Sequence, residues 1–281
     1  MRQASTVRET WMEYGRGIVG GLIFSLPLIF TMEIWWSGFI ASPGSLISAI
    51  VVTFILLLGY NRYAGMRKDT TFFDLCWDSV EEIGLAFIVS FIFLYLIGEI
   101  SFYMSFDEIF GKIIIESMIV AIGISVGTAQ LGSSDNGESG MEDDEEEEKN
   151  PEPEFLGIVV LSICGATLFA SSMAPTDEVM EIAIASSTTR LILIAALSLA
   201  LSLVILHFSE FRGSDTGKTS MTAVIRTTTI NYLIAVIISF VLLLFFGRVI
   251  DYGYQVILAQ VIVLSLPATM GASAGRLLIS R

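Results

Sequence analysis

Five polar side chains sit within apolar spans or at their beginnings: Glu33 in PLIFTMEIWW, Glu82 in DLCWDSVEEIG, Glu116 in GKIIIESMIV, Asn231 in IRTTTINYL and Gln260 in LAQVIVLSLP. Carboxylate and amide oxygens are hard ligands suited to cations, and a carboxylate also takes up a proton. Ionisable groups inside apolar segments are uncommon and ordinarily face a partner or a polar cavity. The chemistry on offer is therefore cation or proton binding away from bulk water.

The spacing sorts these residues into layers. Glu116, Gly123 and Gly127 fall at i, i+7 and i+11, and Gln260, Pro267 and Gly271 repeat that spacing, so each set shares one helix face. The small residues permit close helix approach, and Pro267 leaves the carbonyl of Val263 without its helical donor. Glu116 with Gln260 is thus a candidate mid-membrane site. The structural alternative is an interhelical hydrogen bond made by a protonated Glu116. Asp74, Asp78 and Glu82, at i, i+4 and i+8, face Arg226 and Asn231 of the second half, so that Glu82 and Asn231 form a candidate inner layer against the alternative of a solvated interfacial acid. Glu33 lies beside Trp35 and Trp36 at the expected depth of an aromatic belt, with Pro27 poised to kink its helix. It either joins an outer acidic group with Glu99, Asp107, Glu108, Asp177, Glu178 and Glu181, or pairs with Arg190.

The elements that must position them are membrane spans. Of 281 residues 54% are hydrophobic and 16% charged, and the mean hydropathy is +0.75, which excludes an ordinary soluble domain. Apolar runs predict eight transmembrane helices, approximately Gly17 to Trp36, Leu46 to Tyr60, Ile83 to Ile100, Phe110 to Thr128, Phe155 to Met173, Leu191 to Phe208, Thr229 to Phe246 and Tyr254 to Met270. Period-two alternation is missing, so the fold class is an all-α polytopic bundle and not a barrel. The first span, interrupted by Glu33 and lacking a small-x-small cleavage site, is expected to stay in the mature chain.

Basic residues set the orientation. Arg2, Arg8, Arg16, Arg62, Arg67, Lys68, Arg212, Lys218, Arg276 and Arg281 share one side if the helices alternate, which predicts cytoplasmic termini. Much of the net charge of -14 lies in MEDDEEEEKNPEPE, Met141 to Glu154, which reads as a solvated linker. It separates a first four-helix unit, residues 1–132, from a second, residues 155–281, with 133–154 between them. The units echo each other: GIV at Gly17 and Gly157, GYNRYAG and HFSEFRG, SFIFLYLIGE and SFVLLLFFGR, GISVGTAQLG and PATMGASAGR. An even number of helices in each predicts parallel repeats about an axis along the membrane normal.

No phosphate loop, nucleophile elbow or His-Glu-x-x-His is present, and the single histidine, His207, cannot build a histidine metal centre, so no enzyme is expected. Cys76 and Cys164 form neither a disulfide framework nor a metal pair. The Pro-Leu-x-x-Thr-Met-Glu-x-Trp-Trp pattern of the first helix resembles a family of prokaryotic integral membrane proteins defined as a domain of unknown function. The resemblance implies a prokaryotic inner-membrane setting and supplies no activity. The Arg-x-x-x-Phe-Ser-Asp pattern of prokaryotic relatives of lysosomal potassium channels fails here, because Arg16 stands eight residues before Phe24 and Leu26 replaces the aspartate. The expectation is a cation channel or transporter in the lipid bilayer, with sodium, potassium, calcium and protons unresolved, no nucleic-acid partner, no cofactor and homo-oligomerisation open. The alternative is a non-transporting scaffold or sensor that binds a partner through the acidic loop.

Overall fold

The computed structural model describes residues 14–15, 17–23, 31–64, 71–132, 155–210, 221–250 and 252–277, all of it helix and connecting turns. The acidic linker 133–154, Pro27 and Arg16 lie outside the described residues, and the side chain of His207 does too. In chain order the helices are α1 (residues 17–23), α2 (Met32–Ile40), α3 (Pro43–Ala64), α4 (Phe72–Leu96), α5 (Phe106–Gly132), α6 (Phe155–Ala170), α7 (Asp177–Ala185), α8 (Thr188–Glu210), α9 (Met221–Phe245) and α10 (Tyr254–Leu277).

Local chemistry explains where they start and stop. Proline opens α3, where its missing N–H costs nothing. Thr71 caps α4 in a reciprocal capping box, its hydroxyl accepting from the Asp74 N–H while the Asp74 carboxylate accepts from the Thr71 N–H. Asp74 is therefore occupied as a cap and does not extend the inner polar layer expected for it. At the far ends of α4 and α9 the chain reverses through Gly98 (φ 85) and Gly247 (φ 72), a left-handed geometry that glycine adopts without strain. The N–H groups of Glu99 and Arg248 then return to the carbonyls of Leu94 and Leu243.

Six described helices are long and apolar enough to cross a membrane: α3, α4, α5, α8, α9 and α10. The other two expected spans differ. The segment Gly17 to Trp36 is not one helix, because Thr31 is extended and α2 begins afresh at Met32. The helix from Phe155 ends at Ala170 after 16 residues, about 24 Å and short of the full hydrocarbon thickness. A turn through residues 171–176, which contains Pro175, follows it. The nine-residue α7 lies in what the sequence reads as an outer loop.

Helix lengths run in the same order on both sides of the linker: 9, 22, 25 and 27 residues for α2 to α5, then 9, 23, 25 and 24 for α7 to α10. Packing corresponds as well. On the first side α5 packs against α2, α3 and α4, and on the second α10 packs against α7, α8 and α9. A Cβ added at Gly20 of α1 would collide with Gly127 of α5, and one at Gly165 of α6 with Gly271 of α10. Glycine is required at these contacts because the backbones touch. They align Gly20 with Gly165, whereas the GIV match would align Gly20 with Val160, so that match does not give the packing register.

Two larger apolar cores result, with a small third around Leu94, Ile100 and Ile113. One gathers Leu57, Tyr60, Ala86, Ile115, Val120 and Leu161, the other Ala170, Ala235, Leu243, Leu264 and Ala268. Ile47, Val51, Ile55, Leu233 and Ile237 stay exposed, as lipid-facing residues of spans do. α5 is the central helix of the first side, with every residue from Gly111 to Gly127 buried except the half-buried Ile114 and Met118.

Candidate functional site

Glu116 is 0% exposed, and neither carboxylate oxygen has a hydrogen-bond partner among the described residues. On α5 it lies on the face that carries Val120, Gly123 and Gly127, the residues against which Gly20 and Gly21 of α1 press. One turn outward on that face is Lys112, and next to Lys112 is Gly111, whose backbone meets Gly38 of α2. Glu116 therefore sits along α5 between the α2 contact at Gly111 and the α1 contacts at Gly123 and Gly127, at the level where the first expected span is interrupted. An ion or proton site at a discontinuous helix is a recurring arrangement in transporters.

Lys112 does not neutralise it. Its ammonium is 8% exposed, lies 3.3 Å from Glu108 and 3.8 Å from Glu99, and donates to the Glu99 carbonyl at 3.0 Å. Nor does Gln260, and the expected Glu116 to Gln260 pair does not form. Gln260 is buried and donates through Nε2 to the Arg248 carbonyl at 3.4 Å. The spacing on each helix was readable, but which helices pack together was not.

About 13 Å inward along α5, nine residues on, a second polar group gathers. Asn61 of α3 donates to Glu82 Oε2 at 2.9 Å and to Ser79 Oγ at 3.3 Å, and its Oδ1 accepts from Ser125 at 2.7 Å. Glu82 thus belongs to an inner layer, but its partners come from its own half. Asn231 has a separate set: Ser162 donates to its Oδ1 at 3.0 Å, and its Nδ2 donates to Ser273, which also bonds Ser202 at 2.7 Å. The expected Glu82 to Asn231 layer is therefore two layers. Asn61, Ser125, Ser162 and Ser273 were missed, although Asn61 stood in GYNRYAG and Ser125 in GISVGTAQLG, two segments the internal repeat had already singled out. Beside the first layer Tyr14 donates to Glu81, while Arg226 is exposed and lies 5.9 Å from the Phe155 ring centroid.

At the end of the bundle that the sequence reads as outer, the acids are partly consumed. Glu99 and Glu108 hold Lys112, and Asp177 pairs with Arg248 at 2.7 Å. Glu33 is half-buried in the first turn of α2. Arg190 is exposed and donates to the Ala185 carbonyl at 3.5 Å, so the expected Glu33 to Arg190 pair is absent among the described residues. Buried Cys164 donates its thiol to the Leu56 carbonyl at 3.5 Å. Among the described residues no three His, Cys, Asp or Glu side chains come close enough to hold a metal ion.

The family DUF2391, described as integral membrane proteins, matches residues 13–279. The chain belongs to this family. The match spans both halves and agrees with the resemblance carried by the first helix. No curated protein and no solved structure matches the chain.

Proposed function

We propose that this DUF2391 protein is a membrane transporter or channel for a cation, either a metal ion or a proton. In this reading it has eight spans arranged as two like-oriented repeats, the first span of each interrupted, and it lies in a prokaryotic inner membrane with both termini in the cytoplasm. The repeats are supported by the shared order of helix lengths, by Gly98 and Gly247, and by the paired glycine contacts.

One observation carries the transport reading: Glu116 is sealed in the bundle with both oxygens unpartnered. A buried polar group without a partner costs stability, so a carboxyl kept there is explained by something it binds in turnover. The inner Glu82 group continues the polar residues of the first half toward the cytoplasmic side, and the Lys112 group lies between Glu116 and the outside. Flux of sodium, potassium, calcium and protons into liposomes bearing the intact protein tests the reading, with Glu116→Gln as the comparison. Equal flux through both proteins removes Glu116 from the mechanism. No flux of any of these ions through the wild-type protein would end the transport reading and favour a scaffold acting through the acidic segment 133–154.

A further inference from the structure

We infer that the seam between the two halves holds one acyl chain of a membrane lipid, in an apolar slot bounded by α3, α5, α6 and α10. The inference is independent of the transport reading and of Glu116. A cavity of about 130 Å³ lies there, with Tyr60 of α3, Val126 of α5, Leu161 and Leu168 of α6 and Gly271 of α10 on its walls. Protein interiors seldom leave a space larger than a water molecule, because the lining of a void forfeits its contacts. This space is held open by its frame. A Cβ at Gly165 would strike the backbone of Gly271, and one at Gly275 the backbone of Leu161, so α6 and α10 already touch and cannot close on it further. The Cys164 thiol, donating to the Leu56 carbonyl at 3.5 Å, ties α6 to α3.

The lining selects the occupant. Carbon forms nearly all of the cavity surface, whereas a buried water needs several polar partners. An apolar cavity of roughly 150 Å³ stays dry and takes up benzene, so a space of this size admits a slender apolar guest. Gly275 meets Leu161 and Gly271 meets Gly165, so α6 and α10 run antiparallel and Ala274 stands near the level of Ser162. Phe169 is seven residues further along α6, about 10 Å away. Phe169 is 39% exposed and Ala274 is half-buried, while the rest of the lining is buried, which puts the mouth along the line between these two. That line runs parallel to the helices and within the span of α10 from Tyr254 to Gly275. At this depth the surrounding medium is hydrocarbon, and lipid chains run in the same direction. The slot follows the half of α10 nearer Leu277, the end that the sequence reads as cytoplasmic, so the lipid belongs to that leaflet. Its chain supplies the apolar contact that the two halves do not make with each other here.

The test places the full chain in phosphatidylethanolamine and phosphatidylglycerol vesicles doped with a phospholipid whose acyl chain ends in a diazirine. Irradiation expels dinitrogen and leaves a carbene that inserts into a neighbouring C–H or S–H bond, and the labelled residues are mapped by peptide mass spectrometry. The expected result is label at Leu161, Cys164 or Leu168, all 5% exposed or less and out of reach of a chain that only bathes the surface, together with label at lipid-facing Ile237. Ala274→Phe, which sets a ring in the mouth, should remove the buried label and keep the label at Ile237. A companion phospholipid with the diazirine in its headgroup needs no variant and should label none of the three buried residues. Label confined to exposed residues such as Ile237 overturns the inference. So does buried label that Ala274→Phe leaves unchanged, or equal labelling of the buried residues by the two probes.

Discussion

The two halves of the molecule present the same carbonyl to the same helix and satisfy it differently. After Gly247, the Arg248 carbonyl accepts from Gln260 of α10, whereas after Gly98 the Glu99 carbonyl accepts from Lys112 of α5. Gln260 lies eleven residues before Gly271, and Glu116 lies eleven before Gly127, so the two are at equal depth relative to the glycine contacts. The helices differ in length above that point. α10 begins 17 residues before Gly271 and α5 begins 21 before Gly127, a difference of one turn and about 6 Å. The extra turn raises the loop carbonyl beyond Glu116, Lys112 takes it, and Glu116 is left without a partner. In the second half the equivalent position is an amide that is satisfied. The inner layers repeat the contrast: a carboxylate held by Asn61 in one half, and an uncharged Asn231 held by serines in the other. At these two levels the first side carries the carboxylates Glu116 and Glu82, and the second carries the amides Gln260 and Asn231.

The largest effects should come from the contacts the halves share. Gly20→Ala and Gly165→Ala each place a methyl against backbone, and each is expected to lower stability in detergent by about 3 kcal/mol. A severe loss at Gly165 with none at Gly20 would break the equivalence. Next, Asn231→Leu takes away the acceptor of the Ser162 hydroxyl, while Ser273 keeps Ser202 and the Thr269 carbonyl, and Asn61→Leu removes the amide donor of Glu82, each costing about 2 kcal/mol by chemical unfolding. The outer ion pairs should separate the halves. Lys112→Met removes a buried ammonium from two partly exposed acids and should cost about 2 kcal/mol, since both carboxylates are left without their cation. Arg248→Gln loses a pair whose Asp177 is 60% exposed, and should cost about 0.5 kcal/mol and less in high salt. The smallest change has the opposite sign: Gly84 has open space where its Cβ would be, so Gly84→Ala should stabilise α4 by about 0.5 kcal/mol. A loss of stability there would mean that the added methyl meets a neighbour and that the space beside Gly84 is not open.

Much of the bundle was legible because a membrane helix announces itself by length and apolarity, and α3, α4, α5, α8, α9 and α10 lie where the sequence puts them. The interruption of the first span was not legible. Met32 to Ile40 continues an apolar run, and nothing in residue type marks Thr31 as extended. α7 was hidden for the converse reason, since Asp177, Glu178 and Glu181 make a nine-residue helix look like a loop. Within the site, Glu116 and Glu82 stood out because acids are rare in hydrocarbon. Asn61, Ser125 and Ser162 did not, because hydroxyls and amides are ordinary in spans until a partner is known.

By itself the amino-acid order determined the solvent this chain folds in, the places of six long apolar helices and the acids that stand out in them, since these follow from residue type and from distance along one helix. Which oxygen each polar group meets was decided only by the tertiary structure. That choice depends on how the glycines let α1 and α6 approach α5 and α10, and on one additional turn of α5 that gives the loop carbonyl to Lys112. Such differences are set by contacts between helices far apart in the chain, where a shift of a single turn keeps the helix face and changes the partner.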